Sequence, residues 1–130
     1  MNQKEEEKLV MEYFREAWNG FPKGKLVPSE SPDFILKLNP KKSFGIELTR
    51  LPELESPFDA LIMALKKKEQ KIYLYKGQGF IKIWLIIYTD DLVKTSPYNF
   101  SNKIRNFEFQ SSFDAVFLFD LFAKKEYLIK

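Results

Sequence analysis

The sequence lacks cysteine and histidine altogether, and each absence excludes a class of chemistry. Without cysteine there can be no disulfide framework, and the composition fits a reducing compartment. Without histidine the chain cannot form a histidine-dependent triad, a histidine nuclease site or most zinc sites. These classes are therefore removed from consideration before any motif is examined.

A long apolar run and a strong charge imbalance are missing as well. The longest strongly apolar stretch, Ile83 to Tyr88, is far too short to cross a bilayer. The first residues, MNQKEEEK, are charged, so we see no signal peptide. Lysine and arginine number 21 against 18 acidic residues, and this net charge of +3 permits nucleic-acid contact without requiring it. We expect a soluble, cytoplasmic protein with no membrane association.

What the chain does contain is ample material for a core. Its 130 residues fit one domain, 1–130, and 45% of them are hydrophobic, including 13 phenylalanines. A domain of this size buries roughly two thirds of its unfolded surface, so it needs no disulfide or structural metal.

Hydrophobic periodicity predicts an alternation of helices and strands. We predict helices over 3–18, 56–75 and about 101–107, and strands over 33–38, 43–49, 80–89, 115–120 and 126–129, with 21–32 as a loop. This order favours an α/β (α+β) sandwich with a mixed sheet.

Two carboxylates lie at the edges of the first strand pair. Asp33 begins one strand and Glu47 lies near the end of the next, so a hairpin would bring them close. Close carboxylates repel unless one is protonated or a cation lies between them. A hard ion such as Mg²⁺ suits such an all-oxygen site, and the carbonyl of Leu48 could supply a further ligand. The alternative is that Asp33 is a turn residue and Glu47 is simply solvated.

The residues around these carboxylates resemble a known family. Pro32-Asp33 and Glu47-Leu48-Thr49 resemble the motif of the PD-(D/E)XK nuclease superfamily. The surrounding residues are similar to those of bacterial members whose sequences contain E-x-P-D-F and G-I-E-x-T. The resemblance covers about residues 12–88. It implies a restriction-endonuclease-like three-layer sandwich, a central mixed sheet flanked by helices. It also implies hydrolysis of phosphodiester bonds with Mg²⁺ (or Mn²⁺) on Asp33, Glu47 and the Leu48 carbonyl.

The sequence departs from the family where Thr49 replaces the motif lysine. In some members that lysine comes from the following helix, and there Lys68 interrupts an otherwise apolar stripe, with Lys71 beside it. The resemblance makes either one a candidate catalytic residue, and it suggests Glu12 of the first helix as a further carboxylate. The alternative is that the run KKKEQK is only a solvated face.

Three functions remain open from sequence. The first is a nuclease whose phosphate backbone contacts come from Lys37, Lys41, Lys42 and the second helix, with DNA favoured over RNA. The second is a domain of the same fold that no longer cleaves. The third is a small antitoxin-like or immunity-like interaction protein that uses its phenylalanine-rich tail. A homodimer and an unidentified protein partner are also left open.

Overall fold

The computed structural model describes residues 2–90, 104 and 107–130 of the chain. The elements in chain order are α1 (Gln3–Ala17), β1 (Lys25–Pro28), β2 (Phe34–Asn39), β3 (Lys42–Arg50), α2 (Pro57–Glu69), α3 (Tyr73–Lys76), β4 (Lys82–Thr89), β5 (Ala115–Asp120) and β6 (Lys125–Leu128). The predicted helix over 101–107 falls largely outside the described residues.

The six strands form one mixed sheet whose spatial order is the chain order, β1 to β6. The first three strands are antiparallel neighbours, β3, β4 and β5 run parallel, and β6 returns antiparallel. The β2–β3 turn is closed by Asn39, whose side-chain oxygen accepts hydrogen bonds from the backbone N–H groups of Lys41 and Lys42. The helical segment after β3 supplies the crossover that parallel strands require. The prediction of a mixed α/β class is therefore confirmed.

Helices cover both faces of this sheet. Val10, Met11 and Phe14 of α1 pack with Ile46 and its neighbours on one face. On the other face, a second buried cluster unites α2 and α3 with the opposite side chains of β4 and β5. Because side chains alternate along a strand, Glu47 points into this second layer. No helix in the described part of the chain is long and apolar enough to cross a membrane.

The first strand was predicted to be loop, and that prediction was wrong. β1 pairs with β2 along its whole length, although only two of its four residues are even partly buried. Gly24 makes this approach feasible, because a Cβ there would lie 2.7 Å from the backbone oxygen of Lys37. The strand therefore forms through backbone pairing with β2, which leaves no hydrophobic pattern in the sequence.

The predicted helix over 56–75 is broken into α2 and α3. Its start is as predicted, since the Ser56 side chain accepts a hydrogen bond from the N–H of Asp59 at 3.2 Å. The break lies at residues 70–72, where Lys71 N–H donates to Lys68 C=O at 3.0 Å. Such a bond over three residues winds the chain more tightly than an α-helix.

Candidate active site

Asp33 and Glu47 lie side by side where β2 begins, and β2 and β3 each have neighbouring strands on both sides. Phe34 pairs with Ile46, so Asp33, one residue before the start of β2, lies opposite Glu47. The backbone N–H of Asp33 donates to Glu47 Oε1 at 3.2 Å. The N–H of Leu48 donates to Asp33 Oδ2 at 2.8 Å. The structure thus brings together the two carboxylates that the hairpin pattern predicted to be neighbours.

The segment that carries Asp33 is held from two sides. Pro32 is buried against Gly45, where an added Cβ would lie 3.1 Å from the proline ring and 2.9 Å from the ring of Phe80. From the other side, the Gln78 side chain donates to the backbone oxygen of Ser31 at 2.9 Å. Glycine at position 45 and the amide at position 78 therefore help to fix where the Asp33 carboxylate lies.

Lys68 and Tyr75 converge on one oxygen of Glu47. The Lys68 ammonium donates to Oε2 at 2.9 Å, and the Tyr75 hydroxyl donates to the same oxygen at 2.5 Å. The lysine and glutamate side chains are only 12% and 6% exposed. Of the two helix lysines predicted as candidates, the structure brings Lys68 to the carboxylates, whereas Lys71 is exposed.

Tyr75 is a site residue that sequence reasoning placed in the apolar stripe of the helix and in the pattern Lys68-x-x-Lys71-x-x-x-Tyr75, which resembles that of threonine-bearing family members, but to which it gave no role. It is one of the largest fully buried side chains, and its hydroxyl needs a partner there. The available signal was its spacing of seven residues from Lys68, which is two helical turns and places both on one face. No pattern in the sequence names Glu47 as the partner.

The structure places a different carboxylate of α1 near the site from the one predicted. Glu12 is exposed, whereas Glu7 is buried at 9% exposure and accepts a hydrogen bond from Gln3 at 3.1 Å. Burial raises the pKa of Glu7, and the charge of Glu47 raises it further. The signal was present in the sequence, because Glu7 precedes the buried Val10 and Phe14 by three and seven residues on the same helical stripe.

The two central carboxylates have opposite pKa shifts. Burial and the adjacent Glu47 raise the pKa of Asp33 to about 8. Burial opposes the ionisation of Glu47 too, but hydrogen bonds to Asp33, Lys68 and Tyr75 outweigh it and hold its pKa below the ordinary value. At neutral pH the pair therefore holds one proton, on Asp33, and one negative charge, on Glu47.

The donor atoms at this position fit a hard divalent cation. Asp33 and Glu47 supply carboxylate oxygens. The Leu48 carbonyl points to the same side of β3 as the Leu48 N–H, which contacts Asp33. Mg²⁺ is commonly bound by one or two carboxylates and several waters. Within the described residues there is no cluster of three or more acidic side chains that could bind a metal by themselves. A cation here would therefore retain waters or contact a bound phosphate.

Two other predicted features lie apart from this site. Lys41 and Lys42 are at the hairpin turn, and Lys42 precedes Glu47 by five residues, about 17 Å along the strand. In the phenylalanine-rich tail, Phe107 and Phe122 are exposed, whereas the other four are buried: Phe109, Phe113, Phe117 and Phe119. Most of that tail therefore belongs to the core.

No family model, curated protein or solved structure matches this chain. Function is accordingly inferred from the geometry of the site.

Proposed function

We propose that this protein is a divalent-metal-dependent nuclease with a restriction-endonuclease-like fold that hydrolyses phosphodiester bonds, DNA being favoured. One observation carries the proposal. A lysine from the helical segment after β3 contacts Glu47 at 2.9 Å, on the strand that lacks the motif lysine, and Asp33 lies beside that glutamate. The two carboxyl groups and the ammonium group that such a reaction needs are therefore close together.

Asp33, Glu47 and the Leu48 carbonyl are the groups that would hold Mg²⁺ or Mn²⁺. When bound, such an ion lowers the pKa of a coordinated water and stabilises negative charge on a phosphoryl group. Glu47 would bind through Oε1, because Lys68 and Tyr75 already donate to its Oε2. Asp33 must lose its proton to bind a cation, so binding should release a proton below about pH 8.

Lys68 has the role that the strand lysine has elsewhere in the family. Its ammonium is held by Glu47 in a nearly buried position, where a fixed positive charge interacts more strongly than it would in water. It is placed to stabilise negative charge that develops on a phosphate bound at the carboxylates. Tyr75 fixes the orientation of the glutamate that both the lysine and the cation require.

The test compares wild type with Asp33→Asn/Glu47→Gln, a change that preserves side-chain shape. Calorimetry with Mg²⁺ and Mn²⁺ measures binding, and labelled single-stranded and duplex DNA and RNA measure cleavage with the metal or with chelator. We expect saturable binding and cleavage by wild type only. Lys68→Ala, assayed at a temperature at which circular dichroism shows it to be folded, should reduce the cleavage rate by roughly a hundredfold or more while binding of the metal persists.

The matched controls are Glu53→Gln/Glu55→Gln, which also neutralises two carboxylates, and Lys66→Ala at an exposed position of α2. Both should bind metal and cleave as wild type does. Metal binding without cleavage of any substrate would point to a domain of this fold that no longer cleaves. The same metal affinity in wild type and in the Asp33/Glu47 variant would disprove the site.

A further inference from the structure

A row of side chains leads from Lys68 along the helical segment to the Asp33 loop. Lys71 N–H donates to Lys68 C=O and Leu74 N–H donates to Lys71 C=O, both at 3.0 Å. With this spacing of hydrogen bonds, side chains three residues apart eclipse one another. The row ends where the Gln78 side chain donates both to Leu74 C=O at 2.8 Å and to Ser31 C=O at 2.9 Å.

The outer side of this row is basic and accessible. Lys67 and Lys71 are both exposed. Lys67 directly precedes Lys68 in the chain, and the Lys71 N–H donates to the Lys68 C=O at 3.0 Å, so both lie beside Lys68. Leu74 continues the surface at 44% exposure. We call Lys67, Lys71 and Leu74 the lysine ridge. Lys68, in the same row, instead turns inward to Glu47.

The ridge has the charge that the site itself lacks. The centre formed by Asp33, Glu47 and Lys68 includes two carboxylates and one ammonium, so it offers an incoming polyanion little attraction from a distance. The ridge lies next to that centre and adds two cations. A second exposed lysine pair, Lys41 and Lys42, lies at the far end of β3, about 17 Å from Glu47 along the strand.

We infer that the lysine ridge is the binding track for the phosphate backbone of a nucleic-acid strand, and that it guides the strand to Asp33 and Glu47. This inference rests on the proposed function for the identity of the partner. Ammonium groups on flexible stems bind phosphates as point charges, without reading sequence. The contacts therefore predict affinity that depends on salt and hardly on base sequence.

The test measures binding in chelator, so that cleavage plays no part. Fluorescence anisotropy of labelled DNA, single-stranded and duplex, compares wild type with Lys67→Gln/Lys71→Gln and with Lys41→Gln/Lys42→Gln. Both variants lose two positive charges from exposed positions, so both should have the same melting temperature as wild type. We expect the ridge variant to bind about tenfold more weakly and its salt slope to fall by roughly 0.9 per lysine on duplex. The hairpin variant should bind as wild type does.

Three results would overturn the inference. These are no binding of nucleic acid by wild type, equal weakening in both variants, or equally tight binding of polyglutamate, which would indicate an acidic protein partner. If the inference about the lysine ridge is overturned, the metal-binding and cleavage test of the proposed function is unaffected. Conversely, a protein that binds through the ridge but never cleaves would retain this inference and lose the proposed activity.

Discussion

Asp33 and Glu47 differ in charge although they are neighbours, and the difference comes from their hydrogen-bond partners. Glu47 receives donors from Lys68 and Tyr75, whereas Asp33 has the N–H of Leu48. The proton therefore resides on Asp33, whose pKa is raised to about 8 by burial and by Glu47. A carboxyl that is neutral without a cation and ionised with one couples the affinity for metal to pH.

This coupling also predicts how stability depends on pH in the absence of metal. Asp33 titrates at 3.8 in its ordinary state and at about 8 in the folded protein, so between these values the folded state binds more protons. The free energy of unfolding should therefore fall as pH rises from about 4 to about 8. In Asp33→Asn this part of the decline should disappear. Urea unfolding in chelator at several pH values measures how the free energy of unfolding changes with pH in wild type and in Asp33→Asn. Equal slopes for the two proteins would contradict the raised pKa of Asp33.

At the scale of elements, the sequence correctly predicted turns, helix caps and strands that depend on side chains and their near neighbours in the chain. The Asn39 turn, the Ser56 cap and the predicted strand over 115–120 all appear in the fold. The helix break at 70–72 and the edge strand β1 were missed. Each depends on how the backbone bonds to its surroundings, and the apolar pattern does not report this.

The edge strand provides the test at this scale. Gly24→Ala would place a Cβ 2.7 Å from the backbone oxygen of Lys37, so β1 must shift away from β2. We expect a loss of about 1–3 kcal/mol in the free energy of unfolding and faster hydrogen exchange in β1. The matched control is Gly77→Ala, because nothing lies within 4 Å of a Cβ at that position. If the two variants are equally stable, the close approach of β1 is not as described.

At the scale of the whole molecule, the contact among Glu47, Lys68 and Tyr75 joins the sheet to its second helical layer. The surroundings are apolar, since Leu61, Leu65 and Leu85 pack in the same layer. A carboxylate buried there is tolerated only while its partners remain, because an unpaired buried charge is costly. The bonds from Lys68 and Tyr75 to Glu47 thus help to hold α2 and α3 in position on the sheet.

Removal of the lysine alone should therefore destabilise the whole fold. Lys68→Met leaves Glu47 buried without its cation, and we expect a loss of about 3–5 kcal/mol in the free energy of unfolding. Lys68→Met/Glu47→Gln should recover much of this loss, because the charge is removed as well. Lys67→Met, on the exposed side, is the control and should be close to neutral. Chemical denaturation measures all four proteins. An equal loss in the single and double variants would mean that the loss does not come from an unpaired charge on Glu47.

The sequence by itself determined the class of the fold, the hairpin and the pair of carboxylates at its edge. These follow from local rules, since alternation, turn residues and caps act over a few neighbouring residues. Only the tertiary structure decided that Lys68 rather than Lys71 reaches Glu47, that Tyr75 shares its oxygen, and that Glu7 rather than Glu12 lies nearby. Those choices depend on how helices pack on the sheet, which brings together residues 21 to 40 positions apart, and helical spacing alone does not select the partner of Glu47.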